Sequence, residues 1–451
     1  MAKKKNNESI LKHVTFGVEY ELFTLDKEGR MINGAGRLIE KVRETNPDID
    51  IVRECGENMV EIRSLPDAKI PSVMEKTLAD FEAVLHSAEK EGIVLYFYGT
   101  YPGFFTPAIS NKPEYLVKQR IFGKKRFDIA ARCIGMHCHY SLPRGVFDFT
   151  NKILKFLPYS RNKNVLEDMY NLFIAMDPAL TTFCQSSPFY EGKYIGKDSR
   201  VIVYRGGKIL NYTEGLYSNH QEFGALQPYK LTGMDLPDLV EMQFELWNKI
   251  IDKIDINFTT MIKYGSILDT HWNPVRINAH GTMEQRGMDM NSPRISVAVA
   301  TLVKAISKAV HEKFIQVVPS NIGRTEPFRL EGNRIFIPHH HHVRHVLQPK
   351  AAYLGLEDKD VEAYCSGLLY LGKEFIPKNE RPLIEPLESM LEKKKTVSDE
   401  IILEAKKIGI DGFSKMSNEQ AQSLALNLSK DFFKEIILTK QALAQVGKNS
   451  Q

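Results

Sequence analysis

Residues 14–26 alternate between apolar and polar side chains, and this period of two predicts a β-strand that ends at the turn Asp26–Arg30. Phe16, Val18, Tyr20 and Leu22 take one side of it, Glu19 and Glu21 the other. Three later segments repeat the arrangement. Glu61 and Arg63 alternate with Val60 and Ile62, His137 and His139 with Met136, Cys138 and Tyr140, and Glu284 and Arg286 follow Met283. Side chains two apart on a strand share a face. Each segment would therefore pack one side and offer acids, imidazoles or guanidinium groups on the other.

Between these strands the spacing turns helical. Gly34–Val42 predicts a helix that ends before Asn46–Pro47. Val73, Leu78, Phe81, Val84, Leu85 and Ala88 recur near helical spacing, in a segment opened by Pro71–Ser72 and closed by Gly92. Residues 50–64 predict one or two strands, Ile93–Thr100 a buried strand, and residues 151–185 and 237–265 helices. Val275–Met290 contains a strand, and Ser292–Pro293 opens a further helix. Beyond Pro349 the texture is mostly helical, and from about Thr396 to Val446 it is rich in Lys and Glu at helical apolar spacing. Strands scattered among helices without a regular βαβ period predict an α+β fold around a largely antiparallel sheet.

The length of 451 residues fits two or three domains, or one large α/β enzyme domain. A net charge of +4, from 60 basic and 56 acidic residues, is too small to argue for a nucleic-acid partner. Lys3–Lys5 reads as a solvated tail. The first 15 residues are polar and unlike a signal peptide, and the apolar run Ile93–Tyr98 is too short to span a bilayer. The expectation is a cytoplasmic protein without membrane contact. Its five scattered cysteines argue against a disulfide framework and for reduced thiols.

The polar positions carry the chemistry. Glu19 and Glu21 on one strand face repel each other unless solvated or shared by a cation. Glu54, Glu57 and Glu61 add three acids within eight residues. His137 and His139 flank Cys138, a set that admits zinc, but on a strand the thiol points away from both imidazoles. The whole set is rich in oxygen and poor in thiols, which favours Mg²⁺ or Mn²⁺. Five or six carboxylates suit two or more such ions around a nucleoside triphosphate, with guanidinium groups on the phosphate oxygens. No Walker-type loop or GxGxxG is present, so metals and arginines would hold the phosphates.

These motifs resemble those of the glutamate–cysteine ligase family, in particular its bacterial carboxylate–amine ligase branch. The resemblance rests on Gly17–Val18–Glu19–Tyr20–Glu21 and on Glu54, Glu57 and Glu61. It continues with Gly135, His137 and His139, and with Ser186–Phe189 followed by Gly192, Ser199 and Arg200. It ends with Gly281, Thr282, Glu284, Arg286 and Asp289. It covers residues 14–310. Tyr140–Ser141 and residues 319–348 depart from the family pattern.

The resemblance implies a glutamine synthetase-like catalytic fold, whose curved sheet has a polar concave face and helices on the other. The chain's own texture predicts a disordered tail over 1–12 and a helical C-terminal extension over 391–451 that the family does not explain, with a catalytic ligase domain over 13–390 between them. The implied reaction is ATP-dependent ligation through an acyl phosphate, with Mg²⁺ or Mn²⁺ as cofactor. The substrates would be ATP, a glutamate-like carboxylate and an amine, either cysteine or another amino acid, and a homo-oligomer is compatible with it. Glu19, Glu21, Glu54, Glu61, His137 and Glu284 would bind metal. Arg200, Arg286 and Arg276 would hold phosphates, the first two also the developing acyl phosphate. Glu57 would orient the amine or bind metal, while Arg63 and His139 would face the substrates, with Arg276 a second candidate for a substrate carboxylate.

Other readings stay open at this point. A guanidino-type phosphotransferase would share the fold and phosphorylate its substrate without making an amide. A non-catalytic binding protein could use the same scaffold, with the helical tail as partner surface. A zinc hydrolase would centre on His137, Cys138 and His139. Ser186 and Ser187 lack the elbow of a nucleophilic serine, and His339–His342 with His345 reads as a surface loop tract.

Overall fold

The computed structural model describes residues 14–155, 160–232, 234–254, 266–319, 327–411 and 414–448. The tail expected over residues 1–12, and residues 255–265 of the helix expected over 237–265, lie outside the described residues. The principal sheet holds β1 (Phe16–Leu25), β2 (Ile51–Arg53), β3 (Met59–Arg63), β4 (Val94–Tyr96), β5 (Gly135–Ser141), β6 (Val275–Asn278) and β7 (Thr282–Asp289). Their order is β6-β7-β5-β1-β3-β2, with β4 added to β1, and every registered pair is antiparallel. The fold is thus α+β with an antiparallel sheet, as the alternating segments predict.

Strand β1 lies at the middle because both its faces are used. Val18, Tyr20 and Leu22 are buried on the apolar side. Helix α1 (Ala35–Thr45) and helix α2 (Ile70–Lys90) follow β1 and β3 in the chain. The Tyr20 ring meets Phe81 of α2 edge-on at 5.1 Å, and its hydroxyl donates to Met74 Sδ at 3.6 Å. Helix α3 (Pro113–Phe122) follows, then the long helix α4 (Arg161–Cys184), the short α5 (Ser199–Arg205) and α6 (Pro293–Lys313). Helix α4 packs on β7, and α6 packs on both α4 and β5.

Two departures from the sequence pattern bear on the site. Val275–Met290 holds a hairpin of two strands, because the positive φ of Gly281, at 75°, closes a tight turn. Strand β4 is only three residues long where eight were expected, since Phe97 onward leaves the sheet to pack against the C-terminal helices. All five cysteines are buried free thiols, and Cys138 sits on the apolar face, opposite His137 and His139. That arrangement removes the thiol from any zinc site with the two imidazoles.

The helices beyond residue 390 join the same core. Helix α7 (Phe432–Lys448) places Phe432 on Phe97, stacked at 4.3 Å, and against Phe81 at 5.5 Å. Tyr101 donates to the Gly29 carbonyl at 2.9 Å, where the helix Asn418–Ser429 closes over the β1 turn. No helix among the described residues is long and apolar enough to cross a membrane. Truncating Phe432 removes ring contacts on both sides, so Phe432→Ala is expected to lower stability by about 3–5 kcal/mol, read from denaturant unfolding of the full chain. Parent-like stability would show that α7 is dispensable to the core.

Candidate functional site

Antiparallel register sets the polar side chains in rows across the sheet. Glu19 lies opposite Arg63 on β3 and His137 on β5, and Glu21 opposite Glu61. Glu284 lies opposite His139 on one side and Arg276 on the other. The β5–β7 register slips between Gln285 and Met288, so one extra residue is accommodated on β7. The slip keeps Arg286 on the polar face and returns Met288 to the core. Gly287 lies at this bulge because a Cβ there would stand 2.4 Å from Asp177 Oδ1 and 2.5 Å from Arg205 Nη2. Those two side chains form a buried bidentate ion pair of 2.6 and 2.8 Å behind the sheet.

Two overlapping ligand groups result, with His137 in both. In one, Glu19, His137, His139 and Glu284 bring donor atoms within 4.8 Å of one another, and in the other Glu21, Glu61 and His137 do the same. Glu19 Oε2 lies 3.1 Å from His137 Nδ1 and 3.2 Å from His139 Nε2. Glu21 Oε1 is 3.7 Å from His137 Nε2, while its other oxygen accepts from the Gly135 amide at 2.5 Å. Both imidazole Nε2 atoms are buried without a hydrogen-bond partner. Glu19, Glu21, Glu54 and Glu61 lie close enough to repel one another, and Arg63 pairs with Glu19 and Glu61. Burial, then Glu19 and Glu54, push the Glu61 carboxyl well above its ordinary range despite Arg63 at 2.6 Å. Burial likewise raises Glu21, with His137 pulling the other way. Burial also acts upward on Glu19, but His139 and His137 overcome it and hold that carboxyl low.

Beside the acids stands a cluster of cations. Glu284 Oε2 accepts from Arg276 Nε at 2.8 Å and Asn278 Nδ2 at 2.6 Å, and its Oε1 accepts from Arg286 Nη1 at 3.0 Å. These guanidinium groups outweigh burial and keep Glu284 ionised far below its ordinary range. Glu19, Glu54, Glu61, Arg63, His137, Arg276 and Arg286 line one cavity of about 340 Å³. Glu54 reaches it from the turn after β2 and accepts from Tyr115 OH at 3.0 Å.

Other residues expected at the site lie elsewhere. Glu57 pairs with Arg53 at 2.9 Å, because the β2–β3 turn carries it off the polar face. Arg200 is buried on α5, beneath Gly135, where a Cβ would stand 2.4 Å from its Nη2. It donates to the Arg286 carbonyl at 3.2 Å and supports the cavity floor from behind, without lining it. His139, expected on the substrate side, sits among the ligand atoms, with Nδ1 3.0 Å from Thr282 Oγ1. Ser186 is structural: its amide donates to Asp289 Oδ2 at 2.9 Å and its hydroxyl to the Met290 carbonyl at 2.7 Å. His341 stacks on His345 at 4.4 Å, and none of the residues His339–His342 lines the cavity.

The roof of the cavity was not foreseen. Lys118 and Tyr115 come from α3, Asp269 and Trp272 from the segment before β6, and His280 from the β6–β7 turn. Lys118 is buried, with Nζ 3.5 Å from the centre of the Trp272 ring. Burial, reinforced by Arg276, brings its pKa down to about 7. Helical spacing gives the only sequence signal, since Tyr115, Lys118 and Phe122 share one face of α3.

Known proteins supply the comparison. Residues 15–335 match the family model described as glutamate-cysteine ligase family 2 (GCS2). Proteins named "Putative glutamate–cysteine ligase 2" are 24% identical over 198 residues in Corynebacterium glutamicum (strain R) and 25% over 194 residues in Corynebacterium jeikeium (strain K411). Each alignment covers 42% of this chain and 46% or 44% of the relative, so the match spans less than half the relatives' length. Among solved structures, glutamate–cysteine ligase from Francisella tularensis in complex with AMP superposes with a TM-score of 0.52 at 12% identity, covering 96% of this chain and 92% of that one. A bifunctional glutathione synthetase from Pasteurella multocida gives 0.54 at 14% identity, covering 96% and 54%. At such identities the likeness is one of fold.

Lys118 yields a pH-dependent expectation. Its folded pKa of about 7 lies below the ordinary 10.5, so the burial cost is fully present below pH 7 and fades as pH rises towards 10.5. Lys118→Met should therefore raise the thermal midpoint more at pH 6 than at pH 9.5 in calorimetry. Equal shifts at both pH values would exclude a depressed lysine.

Proposed function

This chain belongs to glutamate–cysteine ligase family 2, and on that footing we propose that it is an ATP-dependent carboxylate–amine ligase of the glutamate–cysteine type. The observation that carries this reading is a buried acid and imidazole cluster, its possible ligand atoms within 4.8 Å of one another in each of two groups, beside a cavity lined by Arg276, Arg286 and Lys118. The orphaned Nε2 atoms of His137 and His139 and the raised carboxyls of Glu21 and Glu61 fit divalent metal ions. Glu19, Glu21, Glu61 and His137 would hold them, with Glu54 at the margin and His139 and Glu284 completing the second group. When bound, Mg²⁺ or Mn²⁺ would neutralise triphosphate charge and polarise the phosphorus under attack.

In the first step an oxygen of the substrate carboxylate attacks the γ-phosphorus of ATP, the bond to ADP breaks, and an acyl phosphate forms. In the second, the amine nitrogen attacks the acyl carbon and the carbon–oxygen bond to phosphate breaks. Inorganic phosphate leaves with the proton that the nitrogen loses. Arg276 and Arg286, fixed by Glu284, present donors to the transferring phosphoryl oxygens, and Lys118 adds a cation from the roof. Arg63, tied to Glu61 but partly exposed at the rim, suits a substrate carboxylate. Glutamate as the acid follows the family resemblance. Glu57 and Arg200 would act through neighbours, since neither reaches the cavity.

Release of ADP and inorganic phosphate from Mg-ATP, glutamate and a panel of amines, with an amide product by mass spectrometry, is the expected outcome. A phosphorylated substrate without free phosphate would instead identify a phosphotransferase. Glu19→Gln is expected to weaken Mn²⁺ binding, followed by electron paramagnetic resonance, at least about tenfold while the fold is kept. Unchanged Mn²⁺ affinity would refute the ligand assignment.

A further inference from the structure

The β6–β7 turn separates the polar cavity from a second one. His280 lines both, while Gly281 and Thr282 line the second. Thr282 Oγ1 is 3.0 Å from His139 Nδ1, and His139 Nε2 faces Glu19. The second cavity thus begins one side chain away from the acid and imidazole cluster. Its character is the opposite. Leu142, Pro143, Phe147, Phe149, Val14 and Pro66 line it, with Arg144, Asn162 and His311 as polar members; no carboxylate among the described residues does, and its volume is about 600 Å³. The Phe147 and Phe149 rings meet edge-on at 5.2 Å and press against Gly281, where a Cβ would stand 2.6 Å from the Phe149 ring. Phe149 is nevertheless 56% exposed, a large apolar side chain left open at the cavity mouth.

Two-step ligation needs two different environments, and this inference rests on the ligase reading. The phosphates and the acid belong over the arginines. A neighbouring, mostly apolar space with no carboxylate among the described residues favours the neutral amine, since desolvation disfavours its charged form. A volume of about 600 Å³ lies in the range that takes a drug-sized ligand, whereas the side chain of cysteine or alanine would leave most of it unfilled.

We propose that this apolar chamber seats the acceptor, and that the acceptor is a primary amine carrying a bulky apolar body packed against Leu142, Phe147 and Phe149. The amine end points past the His280–Thr282 wall towards the acyl phosphate. Its nitrogen bonds the acyl carbon as phosphate departs with the released proton.

The test compares L-phenylalanine, L-leucine, phenethylamine, L-alanine and L-cysteine as acceptors, using the full chain with Mg-ATP and L-glutamate. The expected result is a kcat/KM for the aromatic amines at least about tenfold above those for L-alanine and L-cysteine. Phe149→Ala, at an exposed position, should raise the KM for phenethylamine about tenfold and leave ATP affinity, measured with a non-hydrolysable analogue, as in the parent. Preference for L-cysteine or L-alanine, or an unmoved KM in Phe149→Ala, would overturn the proposal while leaving the ligase reading intact. If no amine yields phosphate, the ligase reading itself fails. Direct calorimetric binding of phenethylamine to parent and Phe149→Ala then decides the chamber: binding lost in the variant supports it, and no binding to the parent overturns it.

Discussion

Carboxyl groups crowded together and buried on one sheet face are the constraint around which this protein is arranged. Glu21 and Glu61 stand directly opposite on neighbouring strands, a like-charge pairing that costs stability in an ordinary sheet. Glu19 and Glu54 enlarge the repulsion. Such a cluster persists only if the surrounding fold over-determines it. Here β1 is held on both sides along its length, its apolar face is locked by Tyr20 on Phe81, and the helices of that face are closed by the C-terminal segment. The stability of the apolar side holds the strained chemistry of the polar side in place.

The opposite charges are kept apart by a few contacts. Glu284 takes both Arg276 and Arg286 and so prevents them from collapsing onto the other acids. Arg200 is held below the floor, within the network of Asp289 and Ser186, close enough to bias Glu21 without entering the cavity. A cavity with acids at one end and fixed guanidinium groups at the other matches a polyanion bridged by cations better than either alone.

What the sequence disclosed followed from the period of a strand. Alternation is fixed by backbone geometry, so Glu19 with Glu21, Glu61 with Arg63, His137 with His139 and Glu284 with Arg286 could be assigned to faces from local pattern alone. The antiparallel α+β class followed as well. Partnership between strands was not legible, because register is set by contacts far apart in the chain. Strand β6 went unseen as a separate strand because four residues carry too little alternation, and Arg276 and Asn278 owe their position to the Gly281 turn. Lys118 and Trp272 were missed for a related reason. They are brought to the cavity by a helix and a segment whose placement over the sheet is purely tertiary. Glu57 shares its short segment with Glu54 and Glu61, yet a turn sends it to Arg53, and no local pattern distinguishes the three.

Phe432 stacking on Phe97 joins the last helix of the chain to the first third of it. During synthesis the outer side of Phe97 and Phe81 must therefore wait for its partner ring until Phe432 has left the ribosome. A product that ends before Phe432 would leave one side of Phe81 and Phe97 without its partner ring, and such products are natural clients for chaperones and proteases. The order in which the chain is made thus leaves this joint between Phe97 and Phe432 to close after the strands that carry the acids have been made.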